Sequence, residues 1–204
     1  FMKKKDLILV GGGGHCSACL DVLRLLNLYN VVGIIEKNNL KLEKLHNVSV
    51  FKDQETKKLS KIYKDFLITI GKIGKSRTRE KKYNELSSLD IELVSLISPT
   101  AYVSTSAEIA RGVNIMHQAL ININVKIGEN TIINSQSLVE HDSFIGSHCH
   151  ISTGVKINGG VKIGNNTFIG SGTVVHEGIT IGNNVIVGAG SIIDRNLSND
   201  TKYC

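Results

Sequence analysis

Hydrophobic positions along this chain follow two different rhythms. In the first half, short apolar runs at residues 7–10, 31–35 and 66–70, with a weaker one at 48–51, alternate with stretches of helical spacing. Apolar residues at Cys19, Leu20, Val22, Leu23 and Leu26 recur as on one face of a helix. Further helices are expected over residues 53–64 and 76–87, and a closing strand over 91–97. Strands alternating with helices predict a small parallel α/β domain.

In the second half, every sixth residue from Val103 to Ile193 is Val or Ile, sixteen positions without a slip. Two residues before each anchor the side chain is small or β-branched, as at Ala101, Ala107, Val113 and Ala119. Strand side chains repeat on one face every second residue, so both series point inward together. Glycine often follows the anchor, as at Gly128, Gly146 and Gly164, and Asn and Ser, which turn a chain sharply, come next. Each unit is a short strand plus a corner. A β-sandwich varies its strand and loop lengths, whereas a strict period predicts a parallel β-helix of hexapeptide repeats. Three units make a coil of 18 residues, and coils stack about 4.8 Å apart. Residues 18 apart become vertical neighbours. The single proline, Pro99, precedes the first anchor. The boundary is therefore expected near Ser98, giving domains 2–98 and 99–204.

Composition narrows the field. With 41% hydrophobic and 21% charged residues, the chain is neither a disordered tail nor a bilayer protein. It has no apolar run long enough for a membrane span and no cleavage site near its start, so a cytoplasmic location is expected. The net charge of +6 is spread from Lys3 to Lys202 with no dense cluster beyond Lys3 to Lys5. Nucleic acid is therefore not expected as a partner, and anionic small molecules account for the charge as well.

Several motifs bear on chemistry. The turn from Gly11 to Gly14, between a strand and a helix, offers backbone N–H groups and the positive end of a helix dipole to a phosphate, and His15 ends it. Glu36, after the second strand, is placed to accept hydrogen bonds from a ribose or base. Two readings stay open here: a nucleotide site, and a tight turn with no ligand. Cys16 and Cys19 form a C-x-x-C at the helix start, which raises redox and zinc roles. There is no second cysteine pair for zinc, and the glycine run points to phosphate, so they are read as packing residues.

In the repeat, Glu140-His141-Asp142 sets an imidazole between carboxylates, the arrangement of an oriented general base. One coil later lies Gly159, followed by Gly160. Bare backbone there leaves room for a thioester, and a peptide N–H could stabilise an oxyanion. His148 and His150 invite a metal, a solvated surface, or a substrate or cofactor contact by His150, with no metal expected. The flat sides of the repeat carry apolar residues such as Phe144, Phe168 and Val174, which predicts that other copies cover them.

Four stretches, VGGGGH (10–15), IIE (34–36), IGKIGKSRTR (70–79) and SLVEHDSFIGSHCHISTGVKINGG (137–160), resemble the NeuD/PglD-type sugar acetyltransferases over nearly the full chain. The resemblance implies a Rossmann-like N-terminal domain, a left-handed β-helix, a homotrimer and acetyl-CoA as co-substrate. It implies that His141 is the base, Asp142 its orienter, Gly159 the lining of the acetyl group, with Gly160 beside it at the cofactor, and His150 a contact to cofactor or substrate. It also implies that Gly11, Gly13, Gly14, His15 and Glu36 bind a nucleotide-linked sugar. The expected reaction is direct attack of the amine of a UDP-linked 4-amino sugar on the thioester. A hydroxyl of a sialic-acid-type acceptor is the near rival, and a non-catalytic nucleotide-sugar-binding scaffold the rival of another class.

Overall fold

A computed structural model describes residues 3–37 and 44–204. The N-terminal sheet has the order β3–β4–β2–β1–β5–β6. Its strands are β1 (Lys5–Val10), β2 (Tyr29–Glu36), β3 (Lys44–Leu45), β4 (Val48–Lys52), β5 (Asp65–Ile68) and β6 (Glu92–Leu93). All pairings are parallel except β3 with β4. Leu7, Ile8, Leu9 and Val10 are at most 1% exposed, as expected of a central parallel strand covered on both faces. Helix α1 (Gly14–Leu26) covers one face through Cys16, Cys19, Leu20 and Leu23. On the other face lie α2 (Thr56–Ile62) and α3 (Thr78–Ser87), through Leu59, Tyr83 and Leu86.

The second half is a left-handed parallel β-helix of two-residue rungs in three sheets of seven, six and five strands. Rungs 18 residues apart pair in parallel register, for example Leu120 with Leu138 and Ile121 with Val139. Anchors from Ile115 to Ile193 are no more than 2% exposed and form one continuous core. The corners are left-handed: Gly112, Asn130, His148, Asn166 and Asn184 form one vertical column with φ from 57° to 70°.

One expectation needs correction. Residues 91–97 do not form one closing strand: β6 ends the N-terminal sheet, whereas Leu96–Ile97 pairs with Asn114–Ile115 as the first rung of the β-helix. Ile97 stands six residues before Val103, so the repeat starts one unit earlier than the proline suggests. Phe144, Phe168 and Val174 lie one on each of the three sheets, one to a flat side. What a face carries is decided by columns at 18-residue spacing. One column, Leu96, Asn114, Ile132, His150 and Phe168, leads the rungs that face the N-terminal domain. A second, Tyr102, Leu120, Leu138, Val174 and Ile192, is interrupted by Lys156 and left open to solvent in a single chain. The third is mostly polar: Glu108, Lys126, Phe144, Lys162 and Thr180. Among the described residues no helix is long and apolar enough to cross a membrane.

Candidate active site

The segment after β5 fastens the two domains together. Arg79, at the start of α3, is 2% exposed. Its guanidinium donates to the carbonyls of Ile68 (2.7 Å), Ile70 (2.8 Å), Asn130 (3.0 Å) and Gly112 (3.0 Å). Lys72 donates to the carbonyls of His148 (2.9 Å) and Asn166 (2.5 Å), and Arg77 to Oδ1 of Asn184 (2.9 Å). These cations thus engage every member of the left-handed corner column from Gly112 to Asn184. Burial lowers the Arg79 pKa to about 10, which leaves it charged at neutral pH. Sequence reasoning noticed this segment only as part of a resemblance. Lysines and arginines directed at carbonyls leave no motif.

Between the domains lies a cavity of about 700 Å³. It opens beside the end of β1, the strand flanked by β2 and β5, where a doubly wound sheet presents its crevice. Gly11, Gly13, Gly14, His15 and Glu36 line it with residues 69–73, and from the β-helix come Asn134 and His150. The glycines differ in kind. Gly11 has φ +105°, and a Cβ there would lie 2.5 Å from the Ile70 side chain, so the fold itself requires it. A Cβ on Gly13 or Gly14 would meet no protein atom within 4 Å. Their missing side chains enlarge the cavity and nothing else. The Glu36 carboxylate accepts from the N–H of Gly12 (2.6 Å) and of Lys37 (2.8 Å), pinning the turn to the end of β2.

Two histidines face this cavity, and both are neutral. Burial, with Arg79 and His150 nearby, lowers the His15 pKa to about 3. Burial likewise lowers that of His150 to about 4. His150 is 8% exposed: Nδ1 donates to the Lys72 carbonyl, Nε2 accepts from Asn134 (3.2 Å), and the ring meets Phe168 edge-on. The resemblance makes His150 a contact to cofactor or substrate. It stands with the N-terminal glycines and not with Gly159, because its rung faces the other domain. Asn134 escaped sequence reasoning. His148 is half-buried at a corner, held by Asn130 (2.9 Å) and the edge of Tyr83. Burial raises the Cys16 and Cys19 thiols to about 11 and about 12, in keeping with packing roles. Among the described residues no cluster of three His, Cys, Asp or Glu could hold a metal.

The second constellation sits at a different corner of the β-helix. Nδ1 of His141 is 2.9 Å from Oδ2 of Asp142, whose Oδ1 accepts from Asn124 (3.0 Å). Glu140 is held in turn by Asn122 (2.6 Å). The Asp142 hydrogen bond raises the His141 pKa, and the bonds from Asn124 and His141 lower that of Asp142. With Asp142 on Nδ1, the imidazole presents Nε2 outward. Gly160 N–H donates to the His141 carbonyl (2.9 Å), and a Cβ on Gly159 would fall 2.6 Å from Nε2. The coil arithmetic holds: ring and glycine are vertical neighbours. His141 does not line the interdomain cavity, so the residues proposed from sequence form two groups on one chain.

This architecture is that of a hexapeptide-repeat transferase with a nucleotide-fold domain ahead of the repeat. The PglD N-terminal domain matches residues 6–86, and the bacterial transferase hexapeptide model (six repeats) matches residues 160–195. No curated protein matches the sequence. Among solved structures, PerB from Caulobacter crescentus in complex with CoA and GDP-perosamine is 30% identical, with 99% of this chain and 95% of that chain covered and a TM-score of 0.89. A histidine-to-asparagine variant of perosamine N-acetyltransferase from the same organism, with CoA and GDP-perosamine, is 29% identical over 99% and 94%, with a TM-score of 0.90. The acetyltransferase domain of PglB from Neisseria gonorrhoeae in complex with acetyl coenzyme A is 26% identical over 98% and 96%, with a TM-score of 0.85. The chain belongs to the NeuD/PglD-type sugar acetyltransferases.

Proposed function

We propose that this enzyme transfers the acetyl group of acetyl-CoA to the amine of a nucleotide-linked 4-amino sugar. The observation that carries the reading is the pairing of an Asp-oriented imidazole with a bare glycine one coil above it. In this reading Nε2 of His141 accepts the proton of the acceptor amine as its nitrogen bonds to the thioester carbonyl carbon. Asp142 stabilises the imidazolium, which then returns the proton to the departing thiolate of CoA. Gly159 leaves room for the acetyl group, and its N–H, without a hydrogen-bond partner among the described residues, is available to the developing oxyanion. No covalent enzyme intermediate is needed.

The interdomain cavity suits the nucleotide portion. The open space over Gly13 and Gly14 lies at the N-terminus of α1, where phosphate is favoured. The sequence reading expects UDP as the carrier, while the ligand named with PerB favours guanine. The exposed apolar column from Tyr102 to Ile192 borders the corner that carries His141 and supports a homotrimer. For base and nucleotide cavity to act on one substrate, a neighbouring copy has to bring its His141 to the cavity, which this chain's own His141 does not line.

Following free thiol while acetyl-CoA is supplied with GDP- or UDP-linked 4-amino sugars, or with a sialic-acid-type hydroxyl acceptor, tests the reading. We expect turnover only with an amino sugar, a loss of at least about a hundredfold in His141→Asn, and three chains per particle by light scattering. Equal turnover by His141→Asn would overturn the base assignment. Turnover with the hydroxyl acceptor alone would move the reaction to O-acetylation.

A further inference from the structure

Asn114 stands in the column that faces the N-terminal domain, between Leu96 and Ile132, and it is fully buried. A hydrophobic residue there would need no partner, whereas Asn114 leaves its own Oδ1 without one. An unpaired buried acceptor weakens a fold, so packing alone does not account for the amide. Its nitrogen lies 3.1 Å from the Ile68 carbonyl and 3.0 Å from Nε2 of His15, with Sγ of Cys19 alongside at 3.7 Å.

The Ile68 carbonyl can only accept, so the amide must turn its nitrogen to that side. The same nitrogen then offers its other N–H to His15. Nε2 of His15 must therefore be the unprotonated, accepting nitrogen, and the neutral ring carries its proton on Nδ1. Nδ1 has no hydrogen-bond partner among the described residues, and His15 lines the interdomain cavity beside Gly13 and Gly14. The charged and titratable groups set against the ring from the other elements are Arg79 of α3 and His150 of the β-helix, and both disfavour an imidazolium.

We infer that Asn114 is a positioning residue: it holds His15 as the Nδ1–H tautomer, so that this N–H donates to a phosphate oxygen of a nucleoside diphosphate seated on the glycine turn. The donor role rests on the nucleotide reading of the cavity; the tautomer does not. Two hydrogen bonds transmit the orientation, from the carbonyl at the end of β5 to the β-helix amide and from the amide to the imidazole on α1. The β-helix thereby sets the chemistry of a residue in the other domain.

Long-range ¹H–¹⁵N spectra of the full chain, labelled in histidine and assigned with His15→Gln, read the tautomer directly. We expect a neutral His15 protonated on Nδ1, whose resonance shifts when GDP or UDP is added. In Asn114→Leu we expect an Nε2–H population, about tenfold weaker binding of GDP or UDP, and unchanged binding of coenzyme A. An Nε2–H ring in the wild-type protein overturns the positioning role, whether or not a nucleotide binds. A tautomer shift in Asn114→Leu with unchanged nucleotide affinity overturns the donor role. No binding of GDP or UDP to a wild-type protein with the Nδ1–H ring overturns the nucleotide reading while the positioning role stands. If Asn114→Leu does not fold, the wild-type spectrum decides the tautomer, and a bound nucleotide that leaves the Nδ1 resonance unmoved overturns the donor role.

Discussion

A methyl group on Gly159 would lie 2.6 Å from both Cε1 and Nε2 of His141, closer than carbon atoms approach in folded proteins. The backbone of Gly159 is outside the left-handed region, so alanine is compatible with its conformation. Only the imidazole has to give way. Gly159→Ala is expected to lower turnover by about a hundredfold through misplacement of the base. Chemical denaturation should change by no more than about 0.5 kcal/mol. A variant with normal turnover would separate this glycine from the reaction.

His141 must be neutral to accept a proton, and its hydrogen bond to Asp142 favours the charged ring. Turnover should therefore rise with pH through a value above the ordinary histidine pKa of about 6.5. Asp142→Asn keeps a residue that tolerates the left-handed corner but removes the carboxylate. Its rate plateau should drop, and its acid limb should move to lower pH. A pH–rate profile with the limb unmoved, or moved upward, would remove Asp142 from this role.

Gly13→Ala and Gly14→Ala add atoms that touch no protein group within 4 Å. Thermal melting should stay near that of the wild type. The KM for the nucleotide sugar should rise roughly tenfold, the effect of about 1.4 kcal/mol, while the KM for acetyl-CoA is unaffected. Parallel measurement of both constants distinguishes a phosphate cradle from a spare turn.

Both cavity histidines resist protonation in the fold, with pKa values near 3 for His15 and near 4 for His150. In the unfolded chain each titrates near about 6.5. As the pH falls below that value the unfolded state takes up protons that the folded state refuses, so stability is lost with acidification down to about pH 4. Each group contributes at most about 1.4 kcal/mol per pH unit. Urea unfolding at pH 7.5, 6.5 and 5.5 should show the decline, and His15→Gln should flatten it. A constant free energy over this range would contradict the burial.

Arg79→Met strips four carbonyls, two in each domain, of a buried donor. A loss of at least about 3 kcal/mol is expected. Calorimetry should resolve two transitions in place of one as the domains lose their shared fastening. Arg79→Lys should not restore the single transition, since an ammonium lacks the planar fork that spans these acceptors. One unshifted transition would show that the clamp carries no energy.

The repeat was legible from Val103 to Ile193 because a period of six needs no tertiary information. The same arithmetic placed Gly159 over His141. The first rung at Ile97 was missed because a proline two residues on was given more weight than the period. The covering of the face led by Leu96, Ile132, His150 and Phe168 was also readable, since an apolar outward column must be buried against something. The side of the β-helix that His150 takes could be read from that same column. Arg79, Lys72, Asn114 and Asn134 could not be found this way. Their partners are carbonyls and ring nitrogens distant in sequence, for Arg79, Lys72 and Asn114 partly in the other domain, and no local pattern announces such contacts.

The grip of Arg79 and Lys72 on the β-helix falls on carbonyl oxygens, which every amino acid carries. Substitution along that corner edge is therefore nearly silent for docking, provided the chain keeps its left-handed bend there. Drift among relatives should erase the side chains of this edge and spare the cations opposite it, so the seam between the halves is recorded on one side only.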